Sequence, residues 1–411
     1  MKMKESISSR LDVVLLSADE QQRRLDRVYA GMAAANISTA LVRDNANLYY
    51  LTGRVFRGYI YLEAGHAPLY FVRQPTTLHG GDSLHHIRKP EDIAGILVEQ
   101  GRLTAEASSA HAVPAIELDA LSYSDAVRLA RVFGSDAPAA NLSPILRAAR
   151  SVKTDEELQA LRESGMRQTN VYRRIPRMYR EGMSDIELQI EIEYHSRLEG
   201  CLGQFRIAGA DMELFMGNVL TGENADTPSP YDFAMGGAGI DPSLPVGADG
   251  TIIKPGLPVM VDVNGNYTGY MTDMTRCYYI TSLESKASEA LELSRRICRE
   301  LAAMMIPGTP AKDLYDRARA IAEEEGMEDY FMGHRSHAGF VGHGVGIEIN
   351  ELPVIAPRSR DVLRAGNVIA LEPKFVIPGI GAVGIENTYI VRPEAPGECI
   401  TLAPEEAVCL N

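Results

Sequence analysis

The chain has 411 residues, 45% of them hydrophobic and 23% charged, which is the composition of an ordinary globular protein rather than a disordered or fibrous one. Its formal charge of −14 weighs against nucleic-acid and anionic-membrane partners, because both reward a basic face. At this length two domains are the natural expectation.

The first residues, Met1-Lys2-Met3-Lys4, open as a signal peptide would. The apolar run at 13–16 is too short for an h-region, however, and is flanked by Asp12 and Asp19. Residues 19–36 read as an amphipathic helix with Asn36 near its C-cap. Short strands follow at 39–42 and 48–52, around the turn-rich Arg43-Asp44-Asn45. Segments 58–62 and 69–72 alternate as a hairpin connected through Gly65, and 90–101 reads as a helix with Pro90 near its start. This alternation, running to about residue 140, describes a small α/β domain.

Thr154 with Glu157, and Ser184 with Glu187, are capping boxes. They predict helices over 155–179 and from 185 to about Glu199-Gly200. The boundary falls near Val152, giving an N-terminal domain of 1–152 and a second of 153–411. In the second, helices are expected at 285–306, before Pro307-Gly308, and at 310–325, before Gly326. Two helices followed by strands occur at 155–280 and again at 285–391, the order of two related α/β halves. No stretch approaches the ~20 apolar residues of a membrane span. The cysteines (Cys201, Cys277, Cys298, Cys399, Cys409) are scattered and form no CxxC pair, which weighs against a disulfide framework or a thiolate zinc site and fits a reducing cytoplasm.

Three blocks carry chemistry. In VMVDVNGNYTGYMTDMTRCYYI (259–280), two antiparallel strands are expected around a tight loop at Asn264-Gly265-Asn266, with Asp262 on the first and Asp273 on the second. Carboxylates inside such apolar strands are costly unless paired or bound to a cation. In GHGVGIE (342–348), glycines on both sides of His343 let the backbone come close and leave the imidazole reachable, although a lone His is more often a hydrogen-bonded core residue. In VIALEPKFVIPGIGAVGIENTYIV (368–391), strand, turn and strand recur, with Glu372 and Glu386 in apolar runs. One buried acid could be a salt-bridge partner; four with a histidine are harder to explain that way. Four carboxylates and an imidazole suit two divalent ions of the Mn, Co, Fe or Zn kind.

These blocks resemble the pita-bread hydrolases: methionine aminopeptidase, prolidase, aminopeptidase P and the metal-free creatinase. Asp262, Asp273, His343 in GHGVG, Glu372 in LEP and Glu386 in IEN stand in the family's order. AARSVKTDEE (148–157) and TALVRDNANLYYLTG (39–53) are similar to the prolidase and aminopeptidase P branch with its creatinase-type N-terminal domain. The resemblance implies an α/β (α+β) pita-bread catalytic domain behind that smaller domain, and an Xaa-Pro aminopeptidase or dipeptidase acting on short peptides. It also implies a homodimer whose N-terminal domain shapes the partner's site. Asp273 and Glu386 would bridge two metals, Asp262 would bind one, and His343 and Glu372 the other, with Glu372 the general base.

Three positions depart from the pattern. Asn350 stands where a substrate-contacting His is usual, Ser243-Leu244-Pro245-Val246 carries no His where a Pro-His pair is expected, and Gly384 replaces an Arg of the proline-specific branch. Asn350 itself and His337 are candidate substrate contacts, and His337 or His334 is a candidate substitute for the missing histidines, the alternative being a loop histidine. These departures keep open a non-peptide small-molecule hydrolase or lyase on the same scaffold. The segment 212–216 (MELFM) reads as core or site lining, and Gly236-Gly237-Ala238-Gly239 as a loop.

Overall fold

The computed structural model describes residues 11–103, 113–209, 216–231, 233, 236–394 and 396–410. The chain divides into two compact units, Met1–Arg150 and Ser151–Asn411.

In the first unit, α1 (Ala18–Ala34) begins where the Ser17 hydroxyl accepts from the Glu20 N–H at 3.2 Å. Asn36, just past its end, takes the left-handed turn at φ 56° that asparagine tolerates. After β1 (Thr39–Val42) comes α2 (Asn45–Thr52), a helix where the sequence reads as a strand. The Asp44 carboxylate caps it by accepting from Ala46 N at 2.9 Å, and Gly53 closes it at φ 72°. Ala46, Leu48, Tyr50 and Leu51 are all buried, so the segment shows no polar face and no helical period to read.

The hairpin of β2 (Arg57–Glu63) and β3 (Leu69–Gln74) forms as expected. β4 (Leu84–His86), α3 (Asp92–Glu99), β5 (Ala115–Ile116), α4 (Tyr123–Val132) and α5 (Ser143–Ser151) follow. The sheet order is β4-β3-β2-β1-β5. Leu41, Phe71, Ile93, Leu97 and Leu129 pack into its core.

In the second unit, α6 (Asp155–Tyr172) and α7 (Asp185–Leu198) both start at the expected capping boxes. Thr154 N donates to Glu157 Oε2 at 2.9 Å, and Ser184 N to Glu187 Oε2 at 2.8 Å. α6 stops short of the predicted residue 179 because the chain passes into a 3-10 turn at Ile175–Arg177, where Pro176 has no N–H to extend the helix. β6 (Gly217–Thr221), β7 (Val259–Val263), β8 (Gly265–Asn266), β9 (Met271–Thr272) and β10 (Thr275–Tyr279) come next.

α8 (Ser285–Met304) and α9 (Ala311–Glu324) then lead into β11 (Gly342–Gly344), β12 (Glu351–Ile355), β13 (Val368–Leu371) and β14 (Lys374–Ile377). β15 (Gly381–Gly384), β16 (Asn387–Ile390), β17 (Glu398–Cys399) and β18 (Val408–Cys409) complete the unit. Two helices followed by strands thus occur twice.

The larger sheets run β18-β10-β7-β6 and β12-β11-β13-β16-β17, with β8-β9 and β14-β15 as separate ribbons. Ile297 and Leu301 of α8 and Leu314 and Ile321 of α9 pack with Ile369, Leu371 and Phe375 in one core. Val171, Ile192, Val219 and Val261 belong to a second. Of the 212–216 segment, residues 212–215 lie outside the described residues, and Met216 is buried in that second core. Residues 236–239 are loop. No described helix is long and apolar enough to cross a membrane.

Candidate metal centre

The site is built from two interrupted hairpins. In the first, Asp262 pairs with Thr275 between β7 and β10, and Gly265 with Thr272 between β8 and β9. The register is the same on both sides of the gap, so Asn264 and Asp273 face each other where the ladder is broken. The turn therefore lies at Tyr267-Thr268-Gly269-Tyr270, beyond the expected Asn264-Gly265-Asn266. Asn-Gly is a hairpin signal, but here Gly265 and Asn266 are already paired strand.

The second hairpin repeats the plan: Leu371 pairs with Asn387 between β13 and β16, and Lys374 with Gly384 between β14 and β15. Glu372 and Glu386 face each other in its gap. Pro373 has no N–H to give the ladder there. Glu386 instead exchanges backbone hydrogen bonds with Thr275 of the first hairpin, at 3.1 and 3.3 Å, which ties the two gaps together.

Further contacts hold the junction. The Thr388 hydroxyl accepts from Asp273 N at 2.9 Å and donates to Asp273 O at 2.8 Å, and the Thr275 hydroxyl donates to Glu386 Oε2 at 2.8 Å. The buried Arg276 guanidinium donates to the carbonyls of Glu386, Thr401 and Ala403 and to Asn387 Oδ1.

His343 sits on β11 beside β13. A Cβ on Gly344 would stand 2.2 Å from Leu352 O, so the approach of β12 requires glycine there. His343 Nδ1 lies 3.1 Å from the Gly344 carbonyl; a carbonyl only accepts, so Nδ1 carries the hydrogen and Nε2 is left facing the acids. Nε2 is 3.3 Å from Glu372 Oε1 and 4.0 Å from Asp273 Oδ2. Single donor atoms of Asp273, His343 and Glu386 all lie within 4.8 Å of one another. Glu386 Oε1 is buried and has no hydrogen-bond partner among the described residues. An imidazole nitrogen and hard carboxylate oxygens, one of them orphaned, fit a divalent cation.

Lys374 was not foreseen. It is one of the largest fully buried side chains, and its Nζ reaches Asp262 Oδ2 at 2.8 Å, Glu372 Oε2 at 2.8 Å and Glu386 Oε2 at 3.1 Å. The signal was in LEPKF: a lysine in an apolar strand, two residues after an acid and so on the same face, is rarely buried unless paired. The resemblance implies two ions, yet the point between Asp262, Glu372 and Glu386 is taken by this ammonium.

In the ion-free chain, burial and then the charge of Asp262 raise Asp273 to about 7. Burial and the charge of Asp273 push Glu386 well up. Burial alone would raise Glu372, but the ammonium of Lys374 and then His343 hold it at about 2. Burial would lower His343, but Glu372 and then Asp273 outweigh it and bring it to about 9. Asp262 has 22% of its side chain exposed against 1% for Glu386, so the cluster opens to solvent on the Asp262 side.

The candidate substrate contacts have other partners. The Asn350 amide donates to Ala208 O at 2.8 Å and accepts from Ala208 N at 2.7 Å, so both ends are used to hold a loop. His337 Nδ1 lies 3.0 Å from Phe331 O, and among the described residues its ring makes no hydrogen bond to the acid cluster. His334 Nδ1 lies 3.0 Å from Asp226 Oδ2, in a cleft that Ser229, Tyr231, Phe233 and Val376 also line. Val246 is buried in a turn, its N–H donating to Leu244 O. Gly384 faces Lys374, so the positive charge absent from β15 is carried by the strand opposite.

Residues 159–393 match the model of metallopeptidase family M24, and residues 24–152 that of the creatinase/prolidase N-terminal domain. The Xaa-Pro dipeptidase of Pyrococcus furiosus is 25% identical over 375 residues, covering 90% of this chain and 95% of that protein. The uncharacterized peptidase YqhT of Bacillus subtilis is 24% identical over 394 residues, covering 94% and 100%. Among solved structures, the prolidase from Pyrococcus horikoshii OT3 superposes with a TM-score of 0.74 at 22% identity, covering 93% of this chain and 98% of that one. The shared architecture is the pita-bread fold with a creatinase-like N-terminal domain.

Proposed function

This chain belongs to metallopeptidase family M24, and from that premise we propose that it is a metal-dependent exopeptidase of Xaa-Pro dipeptidase or aminopeptidase type, acting on short peptides. Residues 1–152 form its N-terminal domain and 153–411 its catalytic domain, and it works as a homodimer in the cytoplasm. The observation that carries the reading is the convergence of Asp273, His343 and Glu386, with the buried Glu386 Oε1 left without a partner among the described residues. Relatives named Xaa-Pro dipeptidase support the peptide substrate over a non-peptide one.

Asp273, His343 and Glu386 would hold the ion, of the Mn, Co, Fe or Zn kind. A bound divalent ion supplies Lewis-acid polarisation of the scissile carbonyl and acidifies water. His343 keeps Nε2 available because Nδ1 is committed to the Gly344 carbonyl. Glu372 acts as general base through Oε1, the oxygen on the His343 side, while Lys374 clamps Oε2 at 2.8 Å and fixes the carboxylate's angle. Thr275 orients Glu386 from the other hairpin.

The test is hydrolysis of a panel of Xaa-Pro dipeptides and longer Xaa-Pro peptides. Chelation is expected to abolish cleavage, and Mn or Co to restore it. Undiminished activity in rigorously metal-free protein would sink the metal reading. A metal-loaded protein that leaves every peptide intact would sink the peptidase one.

A further inference from the structure

We propose that Lys374 supplies the second positive charge of this centre, so that the chain takes one divalent ion, held by Asp273, His343 and Glu386, where the resemblance implies two. The inference rests on the metal-dependent reading, and what it changes in the resemblance is only the count.

The ammonium is a saturated group in a built position. A lysine has three N–H donors and no acceptor, and Lys374 directs one to each of Asp262, Glu372 and Glu386, at 2.8, 2.8 and 3.1 Å. A divalent ion on the same oxygens would sit about 2.0–2.2 Å from each, in the volume Nζ fills. It could enter only by driving a buried ammonium away from all three carboxylates, and an uncompensated buried charge is among the most costly things a fold can hold. The strand opposite is cut back for the lysine. Gly384 faces it, and a Cβ at that position would lie 2.9 Å from Lys374 Cα and 3.0 Å from Lys374 Cγ.

The remaining donors define a single ion. Glu386 divides its oxygens: Oε2 takes Lys374 and the Thr275 hydroxyl, while Oε1 has no partner among the described residues. That carboxylate therefore spans an ammonium and an ion position. Asp273 and His343 each bring a donor atom within 4.8 Å of a Glu386 carboxylate oxygen, and Asp262, the most exposed of the acids, is bound to the lysine alone in this set.

Metal content measures this without an activity assay. The full-length protein, loaded with Mn(II), dialysed and counted by plasma mass spectrometry, is expected to hold one ion per chain, and its electron paramagnetic resonance spectrum to be the sextet of an isolated Mn(II). Lys374→Met, which keeps the length and removes the charge, and Lys374→Gly are expected to hold two, with the broadened signal of a coupled pair. Two ions in the wild-type chain, or a coupled-pair spectrum from it, would overturn the proposal, and neither measurement depends on a variant folding. No retained ion overturns it together with the metal reading. One ion per chain with no peptide cleaved supports the count and sinks only the peptidase reading.

Discussion

In the hairpin of β7 to β10 the broken ladder sets Asn264 against Asp273, an amide against an acid. In the hairpin of β13 to β16 it sets Glu372 against Glu386, two acids. Like charges directly opposite on paired strands repel, and burial multiplies the repulsion. The first hairpin meets this with a neutral side chain; the second meets it with Lys374, two residues along on the same face, bonded to both glutamates. The position of the internal cation thus follows from where the like-charged pair was placed.

Removing acids one at a time separates the two sides of that comparison. Glu372→Gln takes away the proposed base and is expected to lower kcat by about 10²–10⁴-fold. Asp262→Asn, which loosens one arm of the ammonium and takes a negative charge from beside Asp273, is expected to cost much less. Equal losses in steady-state assays would erase the distinction. Arg276→Met strips the donor from the Glu386, Thr401 and Ala403 carbonyls. Glu386 O keeps the Thr275 N–H, so two carbonyls lose their N–H donor, and at about 1–3 kcal/mol for each a drop of about 2–6 kcal/mol in urea unfolding is expected. An unchanged midpoint would mean that the tie between the hairpins is not what secures Glu386.

Gly384→Ala forces a methyl to within 2.8 Å of Pro373 O and 2.9 Å of Lys374 Cα, and should destabilise by about 1–3 kcal/mol. The smallest effect lies at the edge of the second sheet. Glu398 on β17 accepts from Arg162 at 2.8 and 2.9 Å and from Arg392 at 2.6 Å, and these bonds lower its carboxyl from 4.5 to about 2. The unfolded chain binds the proton more readily, so this stability is present above about pH 4.5 and is lost as pH falls through about 2. Glu398→Gln should cost about 0.2–1 kcal/mol at pH 7, given its partial exposure. The gap from wild type should close on acidification; a constant gap would assign the effect to packing.

The unequal legibility of these regions has physical causes. Thr154, Glu157, Ser184 and Glu187 announce their helices because a capping box is local chemistry within four residues. Asp262, Asp273, His343, Glu372 and Glu386 stand out because acids in apolar strands are anomalous wherever they occur. α2 was misread because burial on every side erases the period that distinguishes a helix from a strand. Asn350 looked like a substrate contact, yet Ala208, a residue far away in the chain, takes both of its hydrogen bonds.

Residue types and spacing by themselves determined the α/β class, the order of helices and strands in the second unit, and which five side chains were anomalous enough to share a site. Only the tertiary structure decided that both ladders are interrupted beside those acids and that Thr275 and Glu386 bond to each other across the two hairpins, since both depend on strand register. It also decided that a lysine lies among the carboxylates, since that charge becomes part of the site only once Gly384 on the facing strand leaves room for it.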